Sequence, residues 1–354
     1  MNQPACFPMG REMVAWLKAG GKPTRARWAQ RSMIRWQSFW FERNLALQRQ
    51  LPPALPLPAD PLFILGLWRS GTTYLHNLLG AGKGRICTTT WQCMHPASFR
   101  LQSKPAAGES VQRPMDGFTI NALSPQEDEF ALLALGVPSV YRGFFDPRRL
   151  PDLALWLDPA QWSLDAPAGW VEVWRDFLAA VADGQPGQLV LKSPGHTFRL
   201  NALLNLFPAA RYVWPVRDPS DTFLSNRKMW TAMFERYALW PWNETLLDDF
   251  LVSAFHRAAD CLVRATALLP REQLVIVHFD ELIGKPLSIL TDLRRRLQIE
   301  GQAEVPDTAG PNAAGWAGSG PATYRDPDLP EAALRATDRL QAAQTAALAS
   351  HGLQ

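Results

Sequence analysis

Two groups of residues in this chain have the types and spacing to hold phosphate or sulfate. The first is Trp68-Arg-Ser-Gly-Thr-Thr73, between an apolar run and a helix-like stretch. Gly66 and Gly71 keep the G-x-x-x-x-G spacing of a Walker loop, but Thr72 stands where that loop has Lys. Without that Lys the charge contact to the outer phosphates of a nucleoside triphosphate is missing. The cation comes earlier instead, as Arg69. Backbone N–H groups at a helix start lack intrahelical partners and lie at the positive end of the helix dipole. Arg69, Ser70, Gly71, Thr72 and Thr73 are therefore candidates for an anion cradle. The second group is Arg217 with Ser225, eight positions later. An Arg at a strand end can fork onto a phosphate while a hydroxyl reaches it from the next helix. Lys192, directly after another apolar run, is a third cation.

These side chains need elements to position them. Pro61 to Leu67 is an apolar run of strand length, and Thr73 to Leu79 reads as a helix. A second strand is expected from Ile86, its end placing Gln92 and His95 near the top of a sheet. Ser124 to Glu129 reads as a helix start, with Ser124 as cap, Pro125 in the first turn and Glu127, Asp128 and Glu129 set against the dipole. Leu189 to Leu191 and Arg211 to Val216 are strands that deliver Lys192 and Arg217, with helices following over 197–207 and 220–234. A helix over 244–269, a strand over 274–279, a basic helix over 287–297 and an Ala-rich tail helix from Glu331 complete the pattern. Strands alternating with helices specify an α/β protein, a P-loop-like three-layer α/β/α arrangement whose mainly parallel central sheet is flanked by helices. Ligands of such sheets bind at the carboxyl ends of the strands. Arg69, Lys192 and Arg217 thus gather at one edge, which points to a polyanionic ligand.

The 354 residues, 47% hydrophobic and 19% charged, suffice for one large or two small globular domains. A net charge of +3 gives no case for nucleic acid as a partner. Cys6, Cys87, Cys93 and Cys261 form no C-x-x-C pair and no disulfide framework, which fits a reducing compartment. There is no secretory leader pattern and no run of about eighteen apolar residues, so a cytoplasmic location without a transmembrane segment is expected. The stretch 24–50 reads as a helix carrying Trp28, Ile34, Trp36, Phe39, Trp40 and Leu45 among many Arg. Such a helix can make peripheral contact with a membrane surface. The reading adopted packs its aromatic side on the domain, with Arg stems covering the rim. Three regions are expected: a helical extension over 1–60 packed on the core, a main domain over 61–300 with a loop-rich insertion near 100–168, and a C-terminal loop and helix over 301–354.

Arg69-Ser-Gly-Thr-Thr73 resembles the 5′-phosphosulfate loop of sulfotransferases. Arg211-Tyr-Val-Trp-Pro-Val-Arg-Asp-Pro-Ser-Asp-Thr-Phe-Leu-Ser225 resembles their 3′-phosphate motif, with Arg217 and Ser225 at the two binding positions. Arg113-Pro-Met-Asp116, Pro125-Gln-Glu-Asp-Glu129, Leu191-Lys-Ser-Pro194 and Val277-His-Phe-Asp-Glu-Leu282 are similar to landmarks of a bacterial-type branch related to the protein-tyrosine sulfotransferase-like group. The resemblance spans about residues 60 to 300. It implies 3′-phosphoadenosine 5′-phosphosulfate as the sulfuryl donor, with no metal. It departs from cytosolic members at Arg69, where they have Lys, and in lacking their late Arg-Lys-Gly segment. Gly315-Trp-Ala-Gly-Ser-Gly320 is a poor substitute for that segment as a cap over the nucleotide.

In-line transfer needs charge stabilisation and a base for the acceptor's proton. Arg69 and Lys192 are assigned the charge. Arg69 keeps its proton, so Lys192 is the better partner for the bridging oxygen. For the base, His95 and the Glu127–Glu129 group stand level, with His196 third. His76 is read as packing on its own helix. Acceptor hydroxyls or amines on small molecules, lipids and carbohydrates all stay open. Phe144, Trp156, Trp162, Trp230, Trp240 and Trp242 suggest an apolar or sugar-stacking acceptor site, or equally core. Nothing in the sequence sets an oligomeric state. A P-loop nucleotide kinase would instead need ATP and magnesium, and a non-catalytic nucleotide-binding protein would not need three cations at one sheet edge.

Overall fold

The computed structural model describes residues 7, 9–24, 28–52, 54–113, 119–162, 167, 169–300 and 329–353. The helices α1 (Arg11–Ala19) and α2 (Trp28–Gln48) come first, followed by β1 (Leu62–Ile64), α3 (Thr72–Gly80), β2 (Arg85–Ile86) and α4 (Thr90–Met94). A short hairpin of β3 (Val111–Gln112) and β4 (Thr119–Ile120) precedes α5 (Glu129–Leu135), α6 (Leu150–Leu153) and α7 (Trp170–Ala182). Then come β5 (Gln188–Lys192), α8 (Leu200–Leu206), β6 (Arg211–Val216), α9 (Pro219–Tyr237), α10 (Glu244–Leu268) and β7 (Leu274–His278). The last helices are α11 (Phe279–Gly284), α12 (Pro286–Arg296) and α13 (Glu331–His351).

The central sheet runs β2-β5-β1-β6-β7, every pairing parallel. Side chains alternate across a strand, so each strand feeds two cores. Leu62, Ile64, Val190, Val213, Val275 and Val277 face α3, α11 and α12. Phe63, Leu189, Leu191, Tyr212, Trp214 and Ile276 face the opposite layer, which includes Trp174, Leu203, Phe255 and Leu340. This is the expected three-layer α/β/α architecture. The strand order sets β5, β1, β6 and β7 side by side, so Lys192, the loop after β1, Arg217 and Phe279 line up along the carboxyl edge.

Several local expectations give way. The predicted strand from Ile86 stops after two residues, because Thr89 and Gln92 form a capping box that starts α4. Gln92 and His95 therefore sit on and just past a short helix, not at a strand end. Ser124 does not cap a helix; its Oγ accepts from the Asn121 N–H at 3.0 Å, and α5 begins five residues later. His76 reaches across to the sheet, its Nε2 lying 3.2 Å from the Val190 carbonyl. Phe144, Trp162, Trp230 and Trp240 are buried in the core, and Trp156 and Trp242 pack against it, so these rings do not form an open acceptor site. Arg113 is described, but the rest of Arg113-Pro-Met-Asp116 and all of Gly315 to Gly320 lie outside the described residues.

The α2 helix lies on the domain through Ile34, Phe41 and Leu45, and Gln48 Nε2 donates to the Pro96 carbonyl at 2.9 Å. Its Trp36, Phe39 and Trp40 do not join that contact and are exposed, contrary to the expected packing.

Candidate active site

The loop between β1 and α3 is shaped by backbone that only certain residues tolerate. Gly66 and Gly71 have φ of 126° and 94°, and Arg69 itself has φ 66°. A Cβ on Gly71 would come within 2.1 Å of the Phe279 ring, so glycine is required there for space as well as for φ. The loop is tied down at both ends. Gly66 N–H donates to Thr197 Oγ1 at 2.7 Å, and that hydroxyl donates back to the Gly66 carbonyl at 2.9 Å. Ser70 Oγ donates to the Leu67 carbonyl at 2.8 Å, and Asn226 Nδ2 donates to the Trp68 carbonyl at 2.8 Å. Gly71, the residue before α3, supplies no side-chain cap to that helix.

The two anion-binding motifs meet. Arg69 Nε donates to Ser225 Oγ at 3.0 Å, joining the β1 loop to the second turn of α9. Arg217 places Nη1 3.5 Å from the Arg69 carbonyl, Nη2 3.7 Å from Asp221 Oδ2, and its guanidinium carbon 5.5 Å from the centre of the Phe279 ring. Two guanidinium groups and a hydroxyl thus converge beside a helix start that opens on glycine, a donor set suited to more than one phosphate.

Lys192 approaches the loop from the other side. Its Nζ lies 3.3 Å from Thr73 Oγ1 and 2.5 Å from Glu127 Oε1, with the lysine 2% exposed. Glu127 also accepts the Tyr141 hydroxyl, which accepts from Trp68 Nε1 at 2.9 Å. Burial pushes the Tyr141 hydroxyl well above its ordinary pKa, and the adjacent Glu127 charge adds to the rise, so Tyr141 stays a donor.

The three consecutive carboxylates divide their work. Glu127 takes Lys192. Asp128 takes His196 Nε2 at 2.9 Å and Trp174 Nε1 at 2.7 Å. Glu129 takes Arg199 through two bonds of 2.5 and 2.9 Å, while that guanidinium lies over the Trp162 and Trp170 rings. Burial alone would raise the Asp128 pKa, but His196, Trp174 and Arg199 together hold it below the ordinary carboxylate value. His196, Asp128 and Glu129 are fully buried, so they brace the 192–199 segment rather than face a ligand. His95 is exposed at the end of α4, its Nδ1 3.0 Å from the Trp91 carbonyl. Of the four base candidates, Glu127 is the one linked to the loop, through Lys192 and Thr73.

Sequence reading missed Tyr141, Asn226 and Phe279. Asn226 adjoins Ser225 and Phe279 follows β7 directly, so both carried a positional signal. Tyr141 carried none. Among the described residues no three His, Cys, Asp or Glu side chains converge as a metal-ligand set.

The chain is similar to known proteins in sequence and in fold. The profile of the Sulfotransferase family matches residues 61–303. Omega-hydroxy-beta-dihydromenaquinone-9 sulfotransferase Stf3 of Mycobacterium bovis, and its counterpart of that name in Mycobacterium tuberculosis, are 30% identical over 268 residues, 75% of this chain and 67% of theirs. Sulfotransferase STF9 from Mycobacterium avium shares the fold at a TM-score of 0.62 and 21% identity, covering 96% of this chain and 82% of that one. Sulfotransferase STF1 from Mycobacterium tuberculosis H37Rv does so at 0.58 and 19%, covering 93% and 86%. The family match spans the loop, Lys192, Arg217 and Ser225 together, and on it this chain belongs to the sulfotransferase family and is a sulfotransferase.

Proposed function

We propose that this chain takes its sulfuryl group from 3′-phosphoadenosine 5′-phosphosulfate and passes it to a hydroxyl on a lipid-like acceptor. The observation that supports the donor most directly is the Arg69–Ser225 hydrogen bond, which brings the two anion motifs into one site beside Arg217. Bound there, the donor supplies an activated sulfuryl group on a phosphate leaving group. Ser70, Gly71, Thr72 and Thr73 with Arg69 would hold its 5′ side, and Arg217 with Ser225 its 3′-phosphate. Arg69 and Lys192 Nζ stabilise negative charge on the loop side of the site. Glu127 receives the acceptor's proton on a carboxylate oxygen, with Tyr141 and Lys192 fixing its orientation.

For the acceptor, a groove of about 1170 Å³ runs along the β2 edge, lined by Leu55, Trp91, Phe99 and Leu123 and reaching Ser124 and Pro125, two residues ahead of Glu127. Its lining sets Arg85, Gln92, Arg100 and Asn121 beside those apolar side chains, which suits a hydroxyl carried on an amphipathic body. The curated relatives are named for a hydroxylated dihydromenaquinone, a substrate of that general character.

Calorimetric titration with adenosine 3′,5′-bisphosphate tests the donor. Binding is expected for the intact chain, weakened about 10- to 100-fold by Arg217→Ala through loss of a charge-assisted bond. Binding of ATP with magnesium alone would overturn the donor assignment.

A further inference from the structure

We infer that the outer face of α2 docks this enzyme onto an anionic membrane surface. The helix carries two apolar stripes. One, through Ile34, Phe41 and Leu45, packs on the domain. The other runs through Met33, Trp36, Phe39 and Trp40 at helical three- and four-residue spacing, with Leu47 two turns beyond Trp40, and faces outward. Trp36 and Phe39 are each 64% exposed. Among the described residues no element covers this stripe. The rings pack on one another instead: Phe39 meets Trp40 edge-on at 5.6 Å, Trp36 meets Trp40 edge-on at 6.2 Å, and the Arg43 guanidinium lies 5.0 Å over the Trp40 ring. Exposed rings so grouped form a patch rather than scattered surface apolar residues.

Charge identifies the occupant. Residues 1–50 hold nine Lys and Arg against two Glu, while the remaining chain carries four more acidic than basic residues. The positive charge of the whole molecule is thus concentrated in the segment that carries the stripe. Glu42, the one acidic residue of α2, is engaged by the Arg11 backbone N–H at 2.7 Å. Lys18, Lys22 and Arg35 surround a cavity of about 600 Å³ between α1 and α2 whose walls are otherwise largely apolar. Indole and phenyl rings flanked by cations match the interfacial zone of a bilayer, where rings settle at headgroup level and Lys and Arg meet anionic lipids. A protein partner would need a matching apolar groove; a bilayer needs only the charge and the rings, and both are present.

The experiment is co-sedimentation of the full chain with vesicles of phosphatidylcholine alone and of phosphatidylcholine mixed with phosphatidylglycerol. Binding is expected to the mixed vesicles, to weaken with salt, and to be slight on the neutral ones. Trp36→Ala/Phe39→Ala/Trp40→Ala and, separately, Arg35→Glu/Arg43→Glu should each lower the partition coefficient by more than about tenfold. Both variants should still bind adenosine 3′,5′-bisphosphate as the parent does, which separates this inference from the donor assignment. Equal pelleting of parent and variants, or no pelleting on mixed vesicles, overturns it. A parent dimer in analytical ultracentrifugation that the aromatic variant loses would assign the stripe to self-association. A fall in melting temperature of that variant without vesicle binding by the parent would assign it to contact within the chain.

Discussion

Glu127, Asp128 and Glu129 follow one another in the chain, yet each answers to a different basic residue of the 192–199 segment. The trio was legible as candidate site residues, although the sequence set all three against a helix dipole. Which carboxylate takes which basic residue was not, since the partners lie more than sixty residues away and only the fold brings them together. The same division separates the local chemistry of Arg69, Lys192, Arg217 and Ser225, readable from spacing, from the Arg69–Ser225 contact that joins them. It also sets opposite outcomes for two conservative changes. Glu129→Gln leaves the Arg199 guanidinium buried without a countercharge and is expected to cost about 3–5 kcal/mol of stability, read from urea midpoints. Glu127→Gln keeps the shape of the side chain but removes its capacity for a proton. Turnover is expected to fall by about 10²- to 10⁴-fold, while bisphosphate affinity stays near that of the parent. His95→Gln should leave turnover near the parental level. The reverse pattern in turnover would move the base to His95.

At the scale of elements, what failed was the assignment of short segments. Thr88, Thr89 and Thr90 look β-forming, but the side-chain bonds of a capping box decide the matter locally and start α4. Long elements fared better: α9, α10 and α13 carry enough periodic apolar positions for packing to follow pattern. The β1–α3 turn shows how tightly neighbouring elements constrain a loop. Gly71→Ala would combine a left-handed φ with a methyl group against Phe279 from the start of α11. The expected cost is at least about 2 kcal/mol, with weakened bisphosphate binding because the loop must shift. Adding Phe279→Ala relieves the clash but not the φ strain, so the double variant should recover only part of the stability. Full recovery would show that φ contributes nothing there.

Across the whole molecule, the alternation of strands and helices announced the sheet but not its order. Whether β5 enters between β2 and β1 depends on which faces the crossover helices cover, and no local pattern encodes that. The order matters for stability because it buries α3's His76 against β5, with Lys192 of that strand close by. Burial first, and then the charge of Lys192, lower the His76 pKa from 6.5 to about 3. The unfolded chain therefore binds a proton near pH 6.5 that the folded chain refuses until about pH 3. Stability from this group is complete above about pH 6.5 and falls as the pH drops, by up to about 1.4 kcal/mol per unit. Asp128, also lowered, acts in a more acidic window, its contribution being lost only as the pH falls below its ordinary value of 3.8. The two groups are thus separable by pH. His76→Gln retains an N–H donor for the Val190 carbonyl and removes the titration. Between about pH 4 and pH 6 its urea midpoint should change less with pH than the parent's. If the two chains lose stability at the same rate across that window, the acid sensitivity belongs to another group.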